Sequence, residues 1–287
     1  MMAFDNVYES IVEDNDEARW AYGTGFSDPL AEVDATVPSD VDTADLAEYC
    51  LLLGDDALIM SHRLQEWCAH APELEDEVAL ANIGLDLLGQ ARLLLGRAAA
   101  IRSTDEDSLA FLRGPAEFRN VTLVEIANGD FARSIARLLV FATWRLALLS
   151  RLTGSRDPML AAIAAKGIKE VTYHRDYAAR WTVRLGDGTE LSRERMRSGL
   201  AAVEPLIGEL FAAHPVERRL AGVAVDPDTV QAECVEVLDR VLAAARLDPV
   251  AIADGVLTGR NGDHTAEFAA LLTELQSVAR ANPGATW

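Results

Sequence analysis

The chain has 287 residues, half of them hydrophobic and only 6% aromatic, and its formal net charge is −20. This length is enough to bury the core of one large domain or two small ones. A surface this acidic repels phosphate backbones and anionic lipid headgroups, so the composition disfavours nucleic-acid and membrane-surface partners.

The cysteines and the apolar runs predict a soluble cytoplasmic protein. Cys50, Cys68 and Cys234 are odd in number, lie far apart and form no C-x-x-C pair, which predicts reduced, buried thiols. The first twenty residues lack the basic and apolar regions of a signal peptide. The most apolar run, LLVFATWRLALL, is interrupted by Arg145 and is too short to span a bilayer.

Residues 1–41 are predicted to form an acidic N-terminal arm that precedes a helical domain over residues 42–287. Six carboxylates lie between residues 5 and 17 of the arm and are followed by the aromatic residues Trp20, Tyr22 and Phe26. Such a segment is either a mobile tail or is anchored by its aromatic residues on the protein's own bundle or on a partner. Three aromatic residues favour docking, since a purely solvated tail rarely needs them.

The first half of the helical domain predicts a helical hairpin. Asp42 or Thr43 can cap a helix that stops at Pro72, and Pro72 can be the first residue of a second helix that ends near Arg102. Because the connection is so short, the two helices are expected to be antiparallel neighbours. A short helix is predicted next, in DEDSLAFLRG.

The second half predicts another hairpin and several smaller helices. A long helix is expected over about 121–152, which the segment NGD can interrupt, and a second over 158–185, capped by Asp157. Further amphipathic segments are predicted at about 193–211, 229–246 and 264–280. Apolar spacing of three and four with no sustained alternation predicts an all-α fold: a four-helix bundle with additional peripheral helices.

A bundle of long helices raises the question of a carboxylate-bridged di-iron centre. Such centres take a Glu from each of two helices and a Glu-x-x-His motif from each of the other two. This sequence contains no Glu-x-x-His: Glu170 stands four residues before His174, and the polar Asp86 and Gln90 lie one turn apart among leucines. A single histidine deep in a helix is more often a hydrogen-bonded core residue. Composition and spacing alone therefore predict a helical bundle with no identifiable active site.

Several long segments of the sequence nevertheless resemble the sequences of a known family. They are LLLGDDALIMSHRLQEWCAHAPELEDEVALANIGLDLLGQARLLL, NGDFARSIAR, SRDPMLAAIAAKGIKEVTYH and the closing Trp287. Over residues 44–287 the chain is similar to the structural (C-type) subunits of the ring 1,2-phenylacetyl-CoA epoxidase. The resemblance implies a ferritin-like bundle that pairs with a sister subunit of the same fold.

In that family the di-iron centre belongs to the sister subunit, which binds the CoA thioester and inserts the oxygen. The resemblance also implies a small bridging subunit and a reductase that holds flavin and an iron–sulfur centre and draws electrons from NADPH. No cofactor and no catalytic residue is then expected in this chain itself.

The resemblance further implies what has become of each ligand position. Laying the segment from Trp67 to Pro72 on the matching words of the sister subunit brings six positions into register: Ala57, Leu87, Gln90, Ala142, Val171 and His174. Only His174 keeps a ligand, and one imidazole cannot offset the charge of two irons. Leu87 and Val171 are expected to fill the metal volume, Gln90 to bond a neighbouring helix, and Asp86 to make a contact between helices or subunits.

The leading hypothesis is therefore a non-catalytic scaffold subunit, with the two helices before Arg102 as its preferred interface. Two alternatives remain open. One is a metalloenzyme whose ligands come from Glu170, His174, Asp55 and Asp56. The other is a CoA-binding or regulatory module that uses arginines such as Arg92, Arg97, Arg133 and Arg137.

Overall fold

The structure, a computed structural model, describes residue 30, residues 32–283 and residue 285. The chain divides into two compact units, residues 1–33 and residues 34–287. The aromatic residues of the predicted arm lie outside the described residues, so its docking stays a prediction.

The described part of the chain is helical and contains no β-strand, which confirms the predicted all-α class. Its α-helices are α1 (Thr43–Gln65), α2 (Leu74–Arg102), α3 (Glu106–Phe111), α4 (Phe131–Leu152), α5 (Pro158–Gly186), α6 (Glu190–Val203), α7 (Pro215–Arg219), α8 (Gln231–Ala244) and α9 (Ala266–Ala281). Short 3₁₀ turns occupy several of the connections.

Four long helices form the centre of the second unit. α1 packs against α2, α4 packs against α5, and the two hairpins meet where α2 contacts α5. α6 and α8 pack on α4 and α5, while α9 contacts α3. Two predicted caps are confirmed: Asp42 accepts hydrogen bonds from the backbone amides of the first turn of α1, and Asp157 accepts one at the start of α5.

The connection between α1 and α2 is longer than predicted. α1 ends at Gln65, and α2 begins at Leu74 rather than at Pro72. The intervening segment is held by Trp67, which is 8% exposed and whose Nε1 donates to Ser134 Oγ at 3.0 Å. The chain therefore turns after Gln65 to bury this indole, with Ala69 at a positive φ of 64°.

Two other predicted helices are shorter than expected. The helix expected from residue 121 begins only at Phe131, because Gly129 adopts a positive φ of 61° and Asp130 caps the new helix. The break expected at NGD is thereby confirmed. The helix expected over 193–211 is α6, which ends at Val203 and is followed by 3₁₀ turns, since Pro205 has no amide hydrogen to continue the ladder.

The two helices of the first hairpin, α1 and α2, differ in how much of their surface is exposed to solvent. Nearly all of α1 between Leu46 and Leu64 is buried inside the protein, so α1 offers little surface to a partner, whereas α2 keeps one face exposed. Cys50 and Cys234 are buried as predicted, but the prediction is wrong for Cys68, which is exposed in the turn after α1.

Candidate functional site

The residues singled out by the register lie in the interior of the four long helices. Ala57 of α1, Leu87 of α2, Ala142 of α4 and Val171 of α5 are each no more than 1% exposed. Gln90 of α2 and His174 of α5 are equally buried. The fold thus puts all six positions in the bundle interior; their equivalence to metal-ligand positions stays a prediction.

The interior was expected to be filled by apolar side chains such as Leu87 and Val171. The structure shows that a charged side chain is buried there as well. The guanidinium of Arg145, from α4, is buried there, and its Nε donates to Gln90 Oε1 at 2.8 Å. The amide nitrogen of Gln90 in turn donates to Glu170 Oε2 on α5 at 2.8 Å. This polar bridge joins three helices and confirms that Gln90 bonds its neighbours. Gly167 lies beside it, and a Cβ there would come within 3.0 Å of Leu149 Cδ1, so the glycine allows α4 and α5 to approach closely.

Arg145 is held incompletely. Its Nη1 donates to the carbonyl oxygen of Leu53 at 3.3 Å, and its Nη2 has no hydrogen-bond partner. Burial lowers the pKa of Arg145 to about 10, because desolvation disfavours the cation, and the Asp56 carboxylate partly opposes this effect. The side chain therefore stays protonated at neutral pH and places a positive charge inside the bundle.

His174 belongs to the contact between α2 and α5. Its Nε2 lies 3.0 Å from Asp86 Oδ2, so the helix-to-helix contact predicted for Asp86 is confirmed. Near the start of α2, Asp76 accepts hydrogen bonds from Tyr177 and Trp181 of α5, each at 2.9 Å. The polar side chains along this seam therefore have partners within the chain.

The donor set of the interior does not fit a pair of irons. Over the described residues, no group of three or more His, Cys, Asp and Glu side chains is arranged to hold a metal ion. Near His174 the available donors are Asp86, Glu170 and the amide of Gln90. Glu170 and Gln90 are both close to cations, Lys166 and Arg145. A metal needs anionic or neutral donors around it, and fixed positive charge opposes its binding.

The structure gives Asp55 and Asp56 other partners. Asp55 forms a buried ion pair with Arg113 and accepts the backbone amide of Arg119 at 2.9 Å. Asp56 pairs with Arg260, whose Nη2 lies 2.7 Å from Oδ2, and accepts the amide of Val121 at 2.9 Å. Both carboxylates therefore fasten loops to α1, and neither is grouped with Glu170 and His174 as the metalloenzyme alternative requires.

Three of the four arginines of the CoA-binding alternative have partners within the chain. Arg92 pairs with Glu106 at 2.9 Å, Arg97 pairs with the buried Asp157 at 2.6 Å, and Arg137 donates to the carbonyl oxygen of Ile126 at 2.6 Å. For Arg133, the Nε is buried without a partner.

Sequence reasoning missed the role of Arg145, which it treated only as an interruption of an apolar run. The signal was present: an arginine midway along a helix whose neighbours are all apolar must be buried with acceptors from other helices. Which acceptors those are cannot be read from the helix itself.

The fold and the interior together define a class: an all-α bundle of four long helices bridged at its centre by polar side chains. The sequence profile of the family described as "Phenylacetic acid catabolic protein" matches residues 29–287. The chain belongs to this family, and its fold is ferritin-like.

A curated relative supports the same assignment. The chain is 44% identical over 245 residues to the C-type subunit of the 1,2-phenylacetyl-CoA epoxidase of Escherichia coli (strain K12), and the match covers 84% of this chain and 99% of the relative. The resemblance stated from the sequence is therefore confirmed, and the homology supports a role in phenylacetate catabolism.

Proposed function

We propose that this chain is a non-catalytic structural subunit of a 1,2-phenylacetyl-CoA epoxidase complex, which pairs with and stabilises a di-iron catalytic subunit of the same fold. The observation that carries the proposal is the buried guanidinium of Arg145, hydrogen-bonded to Gln90. Gln90 occupies one of the positions where the resemblance expects a ligand in the sister subunit. A metal bound at that position would lie against a fixed cation, and the low polarity of the interior strengthens the repulsion.

The outer face of α2 supports the pairing. Its exposed hydrophobic residues recur at helical spacing, and their exposed fractions are large: Leu74 71%, Val78 52%, Leu85 57% and Leu88 36%. α2 is long and apolar enough to cross a membrane by length and composition alone, yet only 44% of its most apolar window is buried inside the protein. Exposed apolar faces of this kind mark interaction sites.

A protein subunit fits this face better than lipid does. Glu75, Asn82 and Arg92 are exposed on the same helix, and Asp86 is half-exposed beside the apolar row. Polar groups among apolar ones suit a protein interface, which can satisfy them with hydrogen bonds, whereas lipid cannot. The sister subunit is the partner that the family suggests.

The remaining members of the complex follow from the family. We infer a small bridging subunit and a reductase containing flavin and an iron–sulfur centre that takes electrons from NADPH. The di-iron centre would reside in the sister subunit, and the assembly would be cytoplasmic.

The pairing can be tested by expressing this chain alone and together with a homologue that carries Glu-x-x-His motifs. We expect the isolated chain to contain no stoichiometric iron and to have no epoxidase activity, and the pair to co-purify with iron and, with the reductase, to be active. Iron is measured by mass spectrometry and activity by turnover of phenylacetyl-CoA. Stoichiometric iron in the isolated chain, lost in a His174→Ala variant, would refute the proposal.

A matched pair of variants tests the interface. Leu85→Glu places a charge on the outer face of α2, and we expect it to weaken co-purification of the sister subunit at least tenfold. Leu191→Glu changes a leucine of similar exposure, 63%, on α6 and should leave the pairing unchanged. Both positions are exposed, so thermal unfolding should confirm that each variant folds. Equal co-purification of the two variants would exclude α2 as the interface.

A further inference from the structure

One helix of this acidic protein has an exposed row of basic residues. Between residues 166 and 184, every exposed residue of α5 is a lysine, an arginine or a tyrosine. We call this row the basic ridge; its residues are Lys166, Lys169, Tyr173, Arg180 and Arg184. Their spacings of three, four and seven put them on one face, along about 27 Å at the α-helical rise per residue.

The cations of the basic ridge are poorly neutralised by the protein itself. Lys166 lies 3.4 Å from Glu170, Arg184 stacks on the Trp181 ring at 4.5 Å, and neither Lys169 nor Arg180 has an ion-pair partner among the described residues. The chain has 46 acidic and only 26 basic residues, so carboxylates are abundant. On a surface so rich in carboxylates, basic residues without a carboxylate partner are therefore unusual.

Several carboxylates on the elements around the ridge also have partners outside it. Glu170 accepts a hydrogen bond from Gln90, and Asp176 lies 3.3 Å from Arg175. On α8, Glu236 lies 3.7 Å from Arg240. None of these carboxylates is exposed on the ridge face of α5, so the ridge stays a local surface of positive charge.

An apolar groove follows the C-terminal half of the ridge, between α5 and α8. Its floor is made of small aliphatic side chains, Ala179, Val183, Val241 and Ala244. Arg180, Arg184 and Arg240 line its edges, and its volume is about 480 Å³. Arginine is enriched among the residues that contribute most to protein–protein binding energy, and such residues cluster around desolvated apolar surface.

We propose that the basic ridge and this groove bind an acidic segment of another protein subunit. The segment would present carboxylates at helical spacing to the ridge cations and small apolar side chains to the groove. Charge complementarity favours this occupant over others. A nucleic acid or an anionic membrane extends far beyond the ridge, so it would also face the rest of a chain whose net charge is −20. A short acidic segment acts within the screening length of about 8 Å and meets mainly the ridge.

This surface differs from the outer face of α2. The side chains of α5 that contact polar side chains of α2 are Glu170, His174, Tyr177 and Trp181. Ala179 and Val183 instead line the groove with α8. The proposal relies on the proposed function only in that the acidic segment is sought among the other subunits of the complex.

The chain offers an unusually specific cross-linking test, because Lys166 and Lys169 are its only lysines. A carbodiimide joins a lysine amine to a carboxylate in direct contact, without a spacer. We expect treatment of the complete co-expressed complex to link Lys166 or Lys169 to an Asp or Glu of another subunit, identified by mass spectrometry of the joined peptides. A Lys166→Arg/Lys169→Arg variant should assemble normally and lose the cross-link.

Charge reversal supplies the binding measurement. We expect Arg180→Glu/Arg184→Glu to weaken association of the cross-linked subunit at least tenfold and to reduce the salt dependence of binding. The matched control is Arg195→Glu/Arg197→Glu on α6, where the side chains are 61% and 47% exposed, and it should change neither. Loss of the sister subunit in Leu85→Glu, with the ridge cross-link to another subunit retained, would separate the two surfaces.

Three outcomes would overturn the proposal. One is unchanged assembly of the Arg180→Glu/Arg184→Glu variant with no cross-link from either lysine. Another is a cross-link that joins these lysines only to carboxylates in residues 1–29 of the same chain. The third is ridge-dependent binding to phosphatidylserine vesicles or to duplex DNA with no effect on subunit association.

Discussion

Two buried arginine sites of this protein differ in how the positive charge is compensated. At the first, Arg260 meets Asp56 directly through both nitrogens of its fork, at 3.1 and 2.7 Å, and Nη1 also donates to two backbone carbonyl oxygens. At the second, Arg145 meets a neutral amide, Gln90, and leaves Nη2 without a partner. Both residues are less than 5% exposed.

The first site is a structural clamp between α1 and a distant loop. The second is a polar bridge between helices in the interior of the bundle. The pair of Asp56 and Arg260 joins α1 to a loop more than 200 residues away, and its donors and acceptors are nearly complete. Arg145 binds Gln90, a position that the resemblance predicts to match a ligand of the sister subunit, and its charge reaches Glu170 only through Gln90. The second site therefore leaves a buried donor unsatisfied, which the first site does not.

The largest effect is expected on breaking the clamp. Asp56→Ala leaves the buried guanidinium of Arg260 without its carboxylate and the amide of Val121 without its acceptor. We expect the free energy of unfolding to fall by about 3–5 kcal/mol, measured by denaturant unfolding. The control is Arg92→Ala, which removes a pair whose arginine side chain is 71% exposed and should change stability by less than about 1 kcal/mol. Similar losses in the two variants would show that the clamp is no stronger than a surface pair.

A smaller effect is expected at the centre of the bundle. Arg145→Met alone should cost about 1–3 kcal/mol, because Gln90 Oε1 loses its donor in a buried position. Arg145→Met combined with Gln90→Leu removes both polar groups, and we expect the double variant to recover that loss or to exceed the original stability. A double variant less stable than Arg145→Met would mean that the polar bridge itself stabilises the fold.

The smallest effect concerns the pH dependence near the clamp. Burial raises the pKa of Glu217 to about 7 from 4.5, while the positive charge of Arg260 partly opposes the rise. The folded state then binds a proton more tightly than the unfolded state. The contribution of protonated Glu217 to stability is therefore complete below about pH 4.5 and is lost as the pH rises to about 7. Glu217→Gln should flatten the stability profile in this interval, measured by unfolding at pH 5 and pH 8; an unchanged slope would contradict the assignment.

The sequence predicted the helical class and most helix positions because apolar spacing and capping residues are local. Asp42, Asp157 and Pro158 act where the pattern placed them, and the break at Gly129 is a local backbone preference. Where the prediction was wrong, a long-range contact decided: the indole of Trp67 shortens α1 and delays α2 by binding Ser134 of a different helix.

For the candidate site, the sequence segments indicated the family and the buried positions, and a contact between helices was among those expected for Asp86. The partners of the charged residues could not be predicted. Asp55 and Asp56 are neighbours in the sequence, yet they pair with arginines in two separate segments, at Arg113 and Arg260.

The sequence by itself therefore determined an all-α bundle and its family, since these depend on residue identity and local spacing. Only the tertiary structure decided that a guanidinium enters the interior and that the cations of α5 remain exposed. The physical reason is that a charged side chain is stabilised by whatever acceptors the folded chain brings within hydrogen-bond distance, and those acceptors come from residues far away along the chain.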